Sequence, residues 1–497
     1  MSLSLRLFLL VVALGASTCS RAEDELPPNL LFISIDTLRA DALGAYGGTW
    51  EATPFLDRFA EAGVRFTDAW SHSPKTAPAH MSMFTGLPPR THGIGNQRSS
   101  GNQSLSADIT TLAEALRAAG FRTGAVASGG NVKGHLGFER GFEVYDDSAK
   151  NLELKLRDAS GWIRSVQAES GEAGQGERPW FFFFHTYAVH DPYLPPKKFR
   201  ERFVDPDYAG EIIGDPVELS RAVKVDDRAP WASSHQKVAE NYWARVDPDS
   251  ATDLAYLHQL YMASVASLDL QLRRFLAPLE RDGLLDNTLI VLTSDHGEEF
   301  GEHGGNRHDQ LWQELLHVPL IVRLPGEPLV PPDEGDVPLG RTVEGTVRHM
   351  DLVPSLIELM GVQDDARFAQ DILGESWAGW IAEPGDAEPR PALGEHRSSL
   401  EAPLDMWALR HAGELLVLPA PDDHVRYIDR RVNPTELAPD GGWPGEPAEE
   451  RAGTEVLFDL WARELARFQK AAAEYGVGAG IELDAETKAE LEGLGYL

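Results

Sequence analysis

The chain has 497 residues, 42% of them hydrophobic, enough to bury a large core as one α/β unit with an appended piece or as two to three domains. Its 45 basic and 78 acidic residues leave a formal net charge of −33, which repels nucleic acid and acidic membrane surfaces at long range and argues against both as partners. An anionic substrate therefore needs a local positive focus such as a metal ion, and the single cysteine, Cys19, excludes an internal disulfide and thiol chemistry in the body of the chain.

Arg6 followed by the apolar run Leu7 to Leu14 and the small-x-small site Ser20-Arg21-Ala22 predicts an export signal over residues 1–22, and so a periplasmic or secreted protein. The run is too short to span a bilayer as a mature helix. Ala16-Ser17-Thr18-Cys19 resembles a weak lipoprotein box, so an outer-membrane lipoprotein carried on Cys19 is the other reading, and only then is a membrane a partner.

Asn29 to Ile35 is a short, nearly continuous apolar run, as in a strand buried on both faces, and Asp36 lies at its carboxyl end, where open α/β sheets bind ligands. Thr53 and Pro54 start a helix over Phe55 to Ala62 that stops at Gly63. Thr76, followed by Pro78 and helix formers up to Phe84 and Gly86, sits at or beside a helix N-terminus, where unpaired N–H groups favour an anion. Read alone, it is a helix cap.

Thr111 and Glu114 form a capping box before Leu112 to Ala119, and Thr123 to Ala127 is the next strand. A helix finishes within Gly161 to Arg178, Trp180 to Phe184 is a buried strand, and His185, His190 and Asp191 follow at its end. Lys197 to Asp249 reads as a surface excursion or a substrate lid. Leu254 to Leu279 is helical, Leu289 to Thr293 is a core strand closed by Ser294-Asp295-His296-Gly297-Glu298, and Val318 to Leu324 and Asp351 to Met360 add a strand and a helix. Beyond about residue 395, Trp407 to Leu418 reads as a strand or hairpin arm, with helices from Glu455 to about Tyr475 and Ala485 to Leu494. The domains expected are a catalytic one over residues 28–395 and a smaller C-terminal α+β subdomain over residues 396–497. Two carboxylates, Asp36 and Asp295, and the His296 imidazole at strand ends are ligands for a borderline divalent metal, and Thr76 adds a hydroxyl.

These residues carry a resemblance. Ile33 to Gly47 (I-S-I-D-T-L-R-A-D-A-L-G-A-Y-G), Thr53 to Phe66, Thr76 to Gly86 (T-A-P-A-H-M-S-M-F-T-G), Asp286 to Glu298 and Leu316 to Val322 resemble the sulfatase family of the alkaline phosphatase superfamily, over most of the mature sequence. The resemblance implies a mostly parallel sheet flanked by helices and an ester hydrolase. The family's nucleophile motif, C-x-P-x-R followed by T-G, keeps its proline and Thr85-Gly86 only if Thr76 stands at the nucleophile and His80 at the arginine. Threonine is not expected to give the formylglycine of the family's cysteine or serine. Asp36, Thr76, Asp295 and His296 are similar to the nucleophile-side metal site of the superfamily's threonine phosphodiesterases, so phosphodiester or phosphonate ester is expected ahead of sulfate ester. The alternatives are a true sulfatase on a glycan or aryl sulfate and a noncatalytic binder of anionic glycans.

The resemblance further implies that His190 and His308, with His80 as part of the catalytic set, grip the substrate oxyanion or protonate the leaving group, work suited to an imidazole. Lys75 adds positive charge for substrate binding. His303 and His317 are weaker candidates, and Arg39 and Asp41 either pair near the site or cap a turn. One divalent metal is expected, zinc or manganese ahead of calcium because of the histidine ligand, although His185, His190, His303 and His308 are material for a second.

Overall fold

The computed structural model describes residues 26–95, 104–148, 150–170, 177–223, 231–332, 340–362, 372–397, 405–418, 425–433, 436, 446–448 and 453–475. The expected export signal over residues 1–22, with Cys19, and the expected Ala485 to Leu494 helix lie outside them. The centre is a sheet of nine strands: β1 (Asn29–Ile35), β2 (Val64–Trp70), β3 (Arg122–Val126), β4 (Val144–Asp146), β5 (Trp180–Thr186), β6 (Thr288–Thr293), β9 (His317–Arg323), β10 (Arg341–Val343) and β11 (Val347–Arg348). A two-stranded hairpin, β7 (Glu299–Phe300) with β8 (Asn306–Arg307), stands apart from it. The order across the sheet is β10-β2-β9-β6-β1-β5-β3-β4, with β11 also on β2. Pairing is parallel except at β9, which runs antiparallel to both β2 and β6.

The apolar runs explain this layering. Side chains alternate across a strand, so a strand covered on both faces must be apolar at every position. In β1, Leu31, Ile33 and Ile35 enter one core while Leu30 and Phe32 enter the other. In β5, Trp180, Phe182 and Phe184 join the first, and Phe181 and Phe183 the second. The helix Ala251–Arg281, started by Ser250 accepting from the Asp253 amide, packs in the first core with Leu152–Ser170 and Pro54–Ala62. The helices Thr76–Thr85, Leu112–Ala118 and Leu352–Leu359 fill the second. Both capping-box hydrogen bonds of Thr111 and Glu114 are made.

The excursion between β5 and the long helix carries the helices Lys197–Phe203, Pro216–Val223 and Trp231–Trp243. The C-terminal part is an antiparallel sheet of β12 (Ala392–Arg397), β13 (Asp405–His411), β14 (Glu414–Leu418), β15 (Arg426–Asp429) and β16 (Glu446–Pro447), packed against the helix Glu455–Ala472. β12 spans the boundary expected between residues 395 and 396, and its Glu395 amide bonds the His72 carbonyl just before the Thr76 helix. No helix among the described residues is long and apolar enough to cross a membrane.

Beneath the Thr76 helix, Arg348 and Asp351 form a bidentate pair whose side chains are 1% and 0% exposed, and Asp351 also accepts from Arg390 and from the Glu375 amide. Removing Asp351 takes away the buried partner of Arg348 and leaves it only Glu375, which is half exposed, to pair with. Asp351→Ala is therefore expected to lower unfolding free energy by about 3–5 kcal/mol, read by denaturant titration; an effect below about 1 kcal/mol, the scale of a surface pair, would contradict this account.

Candidate active site

Because β6, β1 and β5 are adjacent and parallel, the residues that leave their carboxyl ends converge. Donor atoms of Asp36, Asp295 and His296 lie within 4.8 Å of one another, and all three residues are buried. Asp295 Oδ1 accepts from the amides of Thr37 at 3.2 Å and His296 at 2.9 Å, while Asp36 Oδ2 is 3.3 Å from His185 Nε2. The other oxygens, Asp36 Oδ1 and Asp295 Oδ2, have no hydrogen-bond partner among the described residues. His296 Nδ1 donates to the Gly297 carbonyl at 2.9 Å, so its Nε2 carries the lone pair, and Thr76 Oγ1 lies 3.5 Å from that nitrogen.

Two orphaned carboxylate oxygens, an imidazole lone pair and a hydroxyl, all buried, form an incomplete polar cluster. Their donor set fits a divalent cation. The electrostatics agree. Burial and the charge of Asp36 push Asp295 well above the usual carboxylate range; Asp36, although burial opposes it, is drawn below that range by the His185 hydrogen bond and by His190 and His296. Adjacent buried carboxylates cannot both ionise without positive charge between them.

Thr76 is the first residue of its helix; its predecessor Lys75 occupies the cap position, and no side chain caps this end. The helix therefore presents an amide-rich terminus at the cluster. Lys75 Nζ, paired with Asp309, lies 3.1 Å from His308 Nδ1. An ammonium can only donate, so the neutral His308 ring carries its hydrogen on Nε2. Burial and Lys75 hold His308 well below its ordinary value. His190 behaves oppositely: burial opposes its charge, but Asp191, 3.0 Å from Nδ1, with Asp36 and Glu298, raises it to about 10. Its Nε2 has no hydrogen-bond partner among the described residues and lies 4.0 Å from Asp36 Oδ1.

The remaining expected residues divide. His80 lies beneath the helix, fully buried, with Nδ1 donating to the Thr76 carbonyl at 2.9 Å and Nε2 accepting from Ser34 Oγ at 2.8 Å. Both nitrogens are engaged, so His80 is placed to hold the first helical turn and not to exchange protons with substrate. His185 accepts the Ser128 amide at Nδ1 and supports Asp36 through Nε2. His303 bonds Glu314 and stacks on Trp312, and His317 bonds the Thr67 carbonyl; neither joins the cluster. Arg39 pairs with Asp41 and Glu302 and donates to the Glu298 carbonyl, bracing the loop after β6.

Sequence reasoning gave no place to Glu298 or Tyr193. Tyr193 donates to Glu298 at 2.7 Å, and burial together with Asp191 lifts the Glu298 carboxyl to about 8. Glu298 stood in view after Asp295-His296-Gly297, but nothing local signals that it is buried.

Gly297 is required by a close approach: a Cβ there would lie 1.8 Å from the Glu314 carbonyl oxygen. Gly297→Ala must push the Asp295-His296 loop away from that backbone. The expected result is a loss of about 1–3 kcal/mol, the usual range for overpacking, and weaker metal binding, read by thermal melting and calorimetric titration. Unchanged affinity would show that the loop absorbs the methyl group elsewhere.

Comparison with known proteins supplies independent findings. The sulfatase family model matches residues 28–362. An N-acetylglucosamine-6-O-sulfatase of Bacteroides thetaiotaomicron is 24% identical, covering 87% of this chain and 86% of that one. The solved structure of a protein in complex with its substrate D-glucosamine-2-N,6-O-disulfate is 19% identical, with a TM-score of 0.62 over 90% of this chain and 98% of that one. The phosphonate monoester hydrolase of Agrobacterium radiobacter is 20% identical, with a TM-score of 0.61 over 90% of this chain and 96% of its own. The two solved structures, one sulfate-directed and one phosphonate-directed, share the fold seen here, and the family match runs from β1 past the Leu352–Leu359 helix: the chain belongs to the sulfatase family, whose members of this kind are ester hydrolases.

Proposed function

We propose that this chain is a metal-dependent hydrolase with Thr76 as nucleophile, turning over phosphodiesters or phosphonate esters faster than sulfate esters. What supports this above all is the position of the Thr76 hydroxyl, 3.5 Å from the His296 lone pair at a helix N-terminus beside the two orphaned carboxylate oxygens. Asp36, Asp295, His296 and Thr76 would hold one divalent ion, zinc or manganese ahead of calcium; such an ion supplies Lewis acidity that a threonine hydroxyl, weak at neutral pH, needs.

The rest is work for the chain's own residues. Thr76 Oγ loses its proton to solvent and bonds to phosphorus as the ester oxygen departs with its electron pair; His308 Nε2 gives that oxygen its proton while Nδ1 takes one from Lys75, so the ring stays neutral. His190, charged through Asp191, donates to a non-bridging oxygen, and Lys75 adds positive charge, which stabilises the transition state electrostatically. Water then attacks the Thr76 ester on phosphorus, releasing the acid and restoring the hydroxyl. On a sulfuryl group the same second step lacks the extra hydroxyl that formylglycine offers.

The named activities of the relatives favour a second reading, a true sulfatase on a glycan sulfate. Parallel assay of aryl sulfate, aryl phosphate, phosphodiester and phosphonate esters, with zinc, manganese or calcium restored after chelation, separates the two. Phosphorus esters are expected to turn over faster; a faster aryl sulfate would overturn the preference and favour the second reading.

A further inference from the structure

Arg307 is a non-glycine residue in the left-handed region, with φ of 65°, on the β7–β8 hairpin immediately before His308. Such a backbone is disfavoured for a residue with a side chain and persists only where its surroundings impose it. Its guanidinium lies over the Trp243 indole, 4.1 Å from the ring centroid. The indole is itself fixed, because Trp243 Nε1 donates to Asp191 Oδ2, and Asp191 Oδ1 holds the His190 ring whose Nε2 points towards Asp36. The acids within electrostatic reach of Arg307 are each engaged elsewhere, Asp191 by His190 and Trp243, Glu298 by Tyr193 and Asp309 by Lys75, and no ion pair to Arg307 is formed among the described residues. Arg307 is half-buried, on a chain whose formal net charge is −33.

A planar cation that is pre-positioned on an aromatic face, beside the histidines that flank the reacting group, suits bidentate capture of a carboxylate or sulfate. We infer that Arg307, propped on Trp243, reads a second anionic group carried on the leaving portion of the substrate, so that the preferred substrate bears two anions. This rests on the proposed hydrolytic reading and adds to it the charge of the substrate beyond the scissile ester.

The test uses two aryl phosphonate esters that differ only in one carboxylate on the aryl ring, and two matched sulfonates that cannot be hydrolysed. Wild type is expected to show a KM for the carboxylated ester about tenfold or more below that of its partner, the scale of a hydrogen bond to a charged group. Arg307→Gly, which suits the left-handed backbone and so preserves the fold, is expected to bring the KM ratio close to one without lowering the melting temperature, and Arg307→Lys is expected to restore only part of it. An unchanged ratio in Arg307→Gly, or no preference in wild type, would overturn the inference. If no ester is turned over, the hydrolytic reading fails, and calorimetric binding of the paired sulfonates still decides Arg307 by the same ratio.

Discussion

Thr76→Ala is expected to lower turnover of every phosphorus and sulfur ester by about a thousandfold or more, as loss of a covalent nucleophile does, while the melting temperature holds or rises. The side chain can be removed without harm to the fold, since among the described residues its hydroxyl has one long contact, to His296, and it caps nothing. Alanine is also the better helix former. Thr76→Ser keeps the hydroxyl and should retain measurable activity. Mass spectrometry of acid-quenched wild type should find the ester on the peptide containing Thr76. Retained turnover in Thr76→Ala, with folding verified, would mean that another group attacks and that Thr76 only completes the ligand set.

Asp295→Asn separates activity from stability more sharply. In the metal-free protein burial and Asp36 force the Asp295 carboxyl to stay protonated well above its ordinary range, which costs folding free energy at neutral pH; asparagine is neutral without that cost, and its oxygen can still accept from the amides of Thr37 and His296. Its amide nitrogen, in the place of Oδ2, lies 3.3 Å from His296 Nε2 and can donate to that lone pair. The metal-free variant should therefore melt higher than metal-free wild type. Wild type should gain stability on adding zinc or manganese, about 2.7 kcal/mol at a hundred times Kd, whereas the variant should gain little and turn over about a thousandfold more slowly. The decisive comparison is thermal melting of both proteins with and without added metal; an equal metal-induced shift in the two would remove Asp295 from the ligand set.

The strands that carry the site were legible because the constraint on them is local. A strand covered on both faces has to be apolar throughout, so Leu30 to Ile35 and Leu289 to Thr293 stand out, and the polar residues that close them, Asp36 and Asp295-His296, stand out against them. Thr76 was legible as the start of a helix because Pro78 and Gly86 mark its first turn and its end. The helix Leu254 to Leu279 was visible by period, and its Ser250 start extended it by one turn. β9 was recognisable as a strand but not as the one antiparallel member of the central sheet, because direction is decided by its partners β2 and β6.

Spacing and composition by themselves determined that three strand ends and a helix start carry carboxylates, imidazoles and a hydroxyl suited to a divalent metal. Only the tertiary structure decided which histidines meet them. His80 is four residues from Thr76, yet its second partner, Ser34, is 46 residues distant in sequence and turns the ring beneath the helix. Burial and Lys75 hold His308 below its ordinary range, whereas Asp191, against burial, lifts His190 above its own. Arg307 stands ready at the rim because Trp243, from the excursion between β5 and the long helix, lies under it. The pattern of a strand or helix is set by its own neighbours in sequence, whereas protonation and reach are set by long-range pairing, here the adjacency of β6, β1 and β5, which no local period encodes.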